Sequence, residues 1–338
     1  MKLRLLAFIV VIILFARYSF SGCAQDASRS KSAPGINEST ASIWGSEYDA
    51  RITPRMWKVT DAEGHLVYLF GSVQMADNSL FHMPKYFEDA YKNSEYVAFE
   101  INSGFVFPNE IIYTDGSTVG DHVDREAYSF AKNLLVENGG FTENLDRMKP
   151  VAWLSQLNRI VKNRDGYLYN FDEAIRHRAQ TDLKQVIALE TVKTHANYMV
   201  SQPEELQEWL FSRFAHDDYY HDSQKYQNVY EKWKEGTITF EDEMPPVKDL
   251  TSLQAAELSE QERKDYQMYQ KYLQWYTEAN TIRNHEMTET ILQTMRANKR
   301  LLVVADVLLF LCENNICELL EKEGCTVSVY PSSTTSNI

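Results

Sequence analysis

No basic block interrupts this chain. The formal net charge is −14 and the acidic excess is spread along the sequence. Phosphate-backbone binding calls for clustered Lys and Arg, and so does docking on anionic lipid through a polybasic surface. Nucleic acid is therefore not an expected partner. Cysteine is scarce as well. Of four in 338 residues, Cys312, Cys317 and Cys325 lie together near the C-terminus. They form no Cys-x-x-Cys pair, which removes the zinc-knuckle reading. One disulfide among them and buried free thiols both stay open. G-x-S-x-G, G-x-x-x-x-G-K-[ST] and G-x-G-x-x-G are all missing, so serine-hydrolase, nucleotidase and dinucleotide readings lose their main support. His285-Glu-Met-Thr-Glu289 carries Glu where a helical metalloprotease motif needs its second His, and reads as a solvated helix face.

What is present begins with a targeting signal. Lys2 and Arg4 precede an apolar run over residues 5–16, which is short for a bilayer span. Phe20-Ser-Gly-Cys23 then resembles a bacterial lipobox, small residues before a Cys that is lipidated. Residues 1–23 are expected to be a signal peptide, Cys23 the anchoring residue, and the polar residues 24–50 a tether. The expected location is the bacterial cell envelope, with the membrane as a partner through the lipid anchor. Ordinary secretory cleavage, leaving a soluble periplasmic or secreted protein, is the alternative.

The remainder, in a chain 44% hydrophobic, is long enough to bury a substantial core. Residues 67–74 read as a strand that stops at Gly71, residues 84–93 as a helix with Pro at its first turn, and residues 96–101 as a second strand. Strand, helix and strand in about thirty residues make a βαβ unit, which gathers functional groups at the carboxyl ends of its strands. Gln74 and Glu100 are thus expected side by side on one rim. Asp172 is expected to cap a helix over residues 173–180, and residues 184–189 form a third strand ending at Glu190. A helical region covers about residues 194–298. Its aromatic stripes, Tyr219, Tyr226, Tyr230 and Trp233, then Tyr266, Tyr269, Tyr272 and Tyr276, have the spacing of core faces. Strands over residues 300–305 and 326–330 with a helix over 313–323 form a second βαβ unit. The fold class is mixed α/β, with duplicated βαβ units forming a central sheet, a large helical insertion, and a domain over residues 51–331. Residues 332–338 read as a frayed tail.

Polar groups at strand ends are the candidate site: Gln74, Glu100 and Glu190, with Arg283 on a helix. An arginine among carboxylates can hold one bidentately. The chain resembles the TraB/GumN family, which includes the Tiki metalloproteases and is related to the ChaN-like fold. The resemblance rests on Trp57, Tyr68-Leu-Phe-Gly-Ser-Val-Gln74, Phe99-Glu100, Lys149-Pro150, Phe171-Asp172, Leu189-Glu-Thr191, Arg283-Asn284 with Met287, and the segment from Glu313 to Val327. In the family two Gly-x-x-His motifs and glutamates are held to build a divalent metal site. Here the first is Gly71-Ser-Val-Gln74, and Asp306-Val-Leu-Leu309 stands at the second. The resemblance therefore implies a pocket of Gly71, Gln74, Asp306 and Leu309 beside the retained Glu100, Glu190 and Arg283. A catalytic transition-metal site needs about three protein ligands, and Gln and Leu supply no nitrogen donor. No metal cofactor is expected, and the protein reads as a non-catalytic binder of a protein or peptide. The alternative is an active peptidase with Mn or Co, using Glu100 or Glu190 as general base. His195 is a further candidate ligand, though a helix-face position accounts for it more simply.

Overall fold

The computed structural model describes Trp44 and residues 48–102, 108–216, 223–244 and 259–331. The expected signal peptide with Cys23, nearly all of the tether, Tyr219 and the tail over residues 332–338 lie outside the described residues. In chain order the elements begin with β1 (Met56–Thr60), β2 (Leu66–Ser72), β3 (Met75–Ala76), α1 (Lys85–Asn93) and β4 (Tyr96–Phe99). Next come α2 (Arg125–Glu137), α3 (Glu143–Asp146), α4 (Pro150–Arg164), β5 (Tyr169–Asn170), α5 (Phe171–Thr181) and β6 (Gln185–Ala188). Five helices follow: α6 (Val192–Ser201), α7 (Glu204–His216), α8 (Ser223–Lys234), α9 (Phe240–Glu243) and α10 (Glu260–Arg296). The chain closes with β7 (Leu301–Asp306), α11 (Ile316–Lys322) and β8 (Thr326–Val329).

Six strands form one sheet in the order β6-β4-β7-β2-β1-β8. β7 pairs in parallel with both β2 and β4, and β4 pairs in parallel with β6. β1 is antiparallel to its two neighbours. The position of β7 follows from its sequence, because Leu301, Leu302, Val303, Val304 and Ala305 are all buried and an unbroken apolar run suits a parallel strand covered on both faces. This changes one expectation. β2 and β4 are not neighbours; β7 lies between them and brings Asp306 to the rim between Gln74 and Glu100. The second unit likewise carries the chain from β7 to β8 across β2 and β1, so each helical crossover skips strands.

One face of the sheet packs Phe70, Phe87, Tyr91, Phe171 and Trp233. The other packs Trp57, Leu69, Met287, Ile291, Leu309 and Leu320. Tyr226, Tyr230 and Trp233 of α8 are core residues, as their spacing predicts. Truncating a residue such as Leu302 to Ala would cost about 2–5 kcal/mol. Helix α10 starts in a capping box, with Ser259 and Glu262 bonding each other's backbone N–H groups. It buries Met287, Ile291 and Met295 along with the polar Asn280, Arg283 and Asn284. A polar stripe buried on a helix calls for partners on the element beneath it, and these lie at the strand ends. Cys312 and Cys325 are buried and Cys317 half-buried; all three are free thiols.

Candidate functional site

The β4–β6 ladder runs past the strands themselves: Leu189 N donates to Phe99 O at 2.8 Å, and Glu190 N to Glu100 O at 3.0 Å. These two bonds set Glu100 and Glu190 side by side. Arg283 then reaches both from α10. Its Nε donates to Glu190 Oε2 at 3.0 Å, and its Nη2 to Glu190 Oε1 and Glu100 Oε2 at 2.6 Å each. Nη1 donates to Asn280 Oδ1 at 3.1 Å. His195 joins through Nδ1, 2.8 Å from Glu190 Oε1. Burial alone would raise the Glu100 carboxyl. The Arg283 charge, the Asp306 N–H at 3.0 Å and His195 outweigh it, and the group is held below its ordinary range. Burial would likewise lower Arg283, yet the two glutamates raise it.

The neighbouring space at the strand tips is a cleft of about 320 Å³, with Ser72, Gln74, Glu100, Lys162, Asp172 and Asp306 among its lining. Burial, then the Glu100 charge, pushes Asp172 up to about 8 against an opposing Ser72 hydrogen bond. Asp306 is pushed up to about 7 by burial, Glu100 and Glu243. Lys162 is lowered by burial, although Glu243 and Asp306 act the other way. Its Nζ donates to Gln74 Oε1 at 3.1 Å and stands 4.1 Å from the centroid of the Tyr226 ring. A second cleft of about 310 Å³ adjoins the first, sharing Gln74, Lys162 and Glu243 and walled by Val151, Leu154, Leu210 and Val229. The combined space is apolar at one end and carboxyl-rich at the other. Two of its acids exchange protons near neutrality, which suits hydrogen-bond donation or proton transfer to a bound molecule.

Glu100, Glu190 and Arg283 therefore converge, and Gln74 and Asp306 share the adjoining cleft. Leu309 does not line it. The residue is 2% exposed and packs in the core on the face with Trp57 and Ile316, because the chain beyond Asp306 turns into a 3-10 segment, Val307–Phe310. Val307 lines the cleft in its place. Gly71 is a close-approach residue: a Cβ there would lie 2.7 Å from Val307 Cγ2. Asp172 is not a helix cap. Asn170 caps α5 by accepting from Glu173 N, which frees Asp172 to face the cleft. The Asn-x-x-Glu spacing is the sequence signal for this. Lys162 and Glu243 carried no signal, since each is a polar residue on an ordinary helix. His285 and Glu289 are exposed on α10, as a solvated face requires.

A mixed sheet flanked by helices, with an arginine-bridged carboxylate pair and a cleft at the carboxyl ends of its parallel strands, defines a protein of the α/β class. The chain belongs to the TraB/PrgY/gumN family, whose family model matches residues 55–329. No curated protein and no solved structure gives a significant match to it.

Proposed function

We propose that the protein binds a ligand or a partner protein in the strand-tip cleft and does not hydrolyse it. One observation carries this reading: the Arg283 guanidinium already spans Glu100 and Glu190. Neither carboxylate is a free base, and a cation there would have to share them with the guanidinium. The divalent ion that the family resemblance implies does not fit the donors here. Leu309 has no ligating atom and is buried in the core, and the Gln74 carbonyl is engaged by Lys162. Anchoring in the bacterial envelope through Cys23 is part of the same proposal and rests on Phe20-Ser-Gly-Cys23.

The second reading is a metal-dependent peptidase of Tiki type. The favouring observation is that donor atoms of Glu100, Glu190 and His195 all lie within 4.8 Å of one another. Elemental analysis of the purified protein, with peptide-cleavage assays in Mn²⁺ and Co²⁺, separates the two. No bound metal and no turnover is the expected result. Stoichiometric metal, with turnover lost on Glu100→Gln, would sink the binding reading in favour of the peptidase.

A further inference from the structure

A second polar cluster is built from other elements. Glu204 and Glu208 lie one turn apart on α7, hence on one face. His122 follows the 3-10 turn Val119–Asp121 and meets them, and donor atoms of the three residues all lie within 4.8 Å of one another. His122 Nδ1 stands 3.4 Å from Glu204 Oε1, too far for a good hydrogen bond. Two ligands at about 2.0–2.2 Å from one tetrahedral ion stand about 3.4 Å apart.

The surroundings fix which nitrogen faces the carboxylates. Ser117 Oγ donates its single proton to Asp115 Oδ1 at 2.6 Å, so it accepts from His122 Nε2–H at 2.9 Å. In the neutral imidazole the lone pair is then on Nδ1, toward Glu204. A histidine whose far N–H is held by a hydrogen-bonded relay is the usual arrangement behind a metal ligand. The imidazole plane is also set, because Tyr113 stacks on it at 4.0 Å with 5° between the rings.

An independent observation concerns Tyr113 itself. The residue is 5% exposed, and its hydroxyl has no hydrogen-bond partner among the described residues. Burial first, then the Glu204 charge, a loose approach of the Glu204 carboxylate to the hydroxyl and the Glu208 charge raise the phenol; that approach falls short of a hydrogen bond. Leaving a buried hydroxyl unmatched costs about 1–3 kcal/mol, and an ion with its bound water would remove that cost. Lys149 approaches the other Glu204 oxygen at 3.9 Å, and Glu208 makes no ion pair among the described residues.

We propose that His122, Glu204 and Glu208, with the Tyr113 hydroxyl at the edge, form a site for a borderline divalent transition ion such as Zn²⁺. One imidazole among carboxylates favours such an ion over Mg²⁺ or Ca²⁺, which prefer oxygen alone. The bound ion ties the segment around Ser117 to the first turns of α7. This site is independent of the strand-tip cleft and of what that cleft does.

The test is calorimetric titration of the chelator-stripped full chain with Zn²⁺, alongside His122→Gln, Glu208→Gln and Ser117→Ala, each checked for folding by circular dichroism. One zinc per chain is expected, lost in His122→Gln and Glu208→Gln and weakened about 10–100-fold in Ser117→Ala. Glu208 is half-exposed on α7, so its variant serves if the His122 variant fails to fold. Co²⁺ substitution should show d–d bands without a thiolate charge-transfer band, which rules out the cysteines. Wild-type protein that takes up no zinc overturns the proposal. So does zinc that survives both ligand substitutions, or that follows His195→Gln or a cysteine.

Discussion

Arg283 and Glu190 meet edge to edge, Nε and Nη2 of the guanidinium facing both carboxylate oxygens at 3.0 and 2.6 Å. Arg283 is 5% exposed and Glu190 3%. The pair joins a helix to a strand end 93 residues earlier in the chain. A buried charge pair is weak evidence for stability as such, but removing one member leaves the other charge stranded.

Arg283→Met should for that reason destabilise the fold by about 3–5 kcal/mol, read as a lowered midpoint in urea. A near-neutral result would mean that Glu100 and Glu190 are solvated without it.

The rim has a steric requirement too. Gly71→Ala places a methyl group 2.7 Å from Val307 Cγ2, and overpacking of this kind costs about 1–3 kcal/mol. Thermal unfolding should show a lower Tm than wild type, with the sheet content kept by circular dichroism.

The cleft acids set a pH dependence. Asp172 and Asp306 are raised to about 8 and about 7 in the folded chain, against about 3.9 unfolded. The folded state therefore holds more protons through this window, and stability falls as pH rises through it. Their contribution is complete below about pH 4 and is lost through pH 7 and 8. Glu100, held below its ordinary range, has the opposite sign: its contribution is present above that range and lost as pH falls through the depressed value. Melting temperatures between pH 6 and 8.5 should decline, and Asp172→Asn should flatten the decline. An unchanged slope in that variant would discard the assignment.

Restoring histidines at the two Gly-x-x-His positions should not build a transition-metal site. Leu309 sits in the apolar core, so Leu309→His buries an imidazole without a partner at about 1–3 kcal/mol. Elemental analysis of the Gln74→His, Leu309→His double variant is expected to find no tightly held ion. Stoichiometric metal would show that the turn after Asp306 can re-form around one.

The anchor is tested in cells. Cys23→Ser should move the protein from the membrane fraction to the soluble fraction on fractionation. Wild-type protein found in the soluble fraction would leave secretory cleavage as the explanation of residues 1–23.

By itself the sequence marked β2, β4, β6, β7 and β8 in chain order, because apolar runs of strand length and glycine stops are local signals; the two-residue strands β3 and β5 gave none. It also marked Glu100 and Glu190, through their positions after strands, and Arg283, through the family resemblance. The placement of β7 between β2 and β4 belonged to the tertiary structure, since strand order depends on contacts among segments some two hundred residues apart. The same is true of Lys162, Glu243 and the Asp172 carboxyl: each is unremarkable on its own element, and only packing brings them to one cleft. Leu309 shows the limit most plainly. Its sequence position matches a ligand, but burying its side chain in the core costs less than exposing it at a polar rim, so the fold turned it inward.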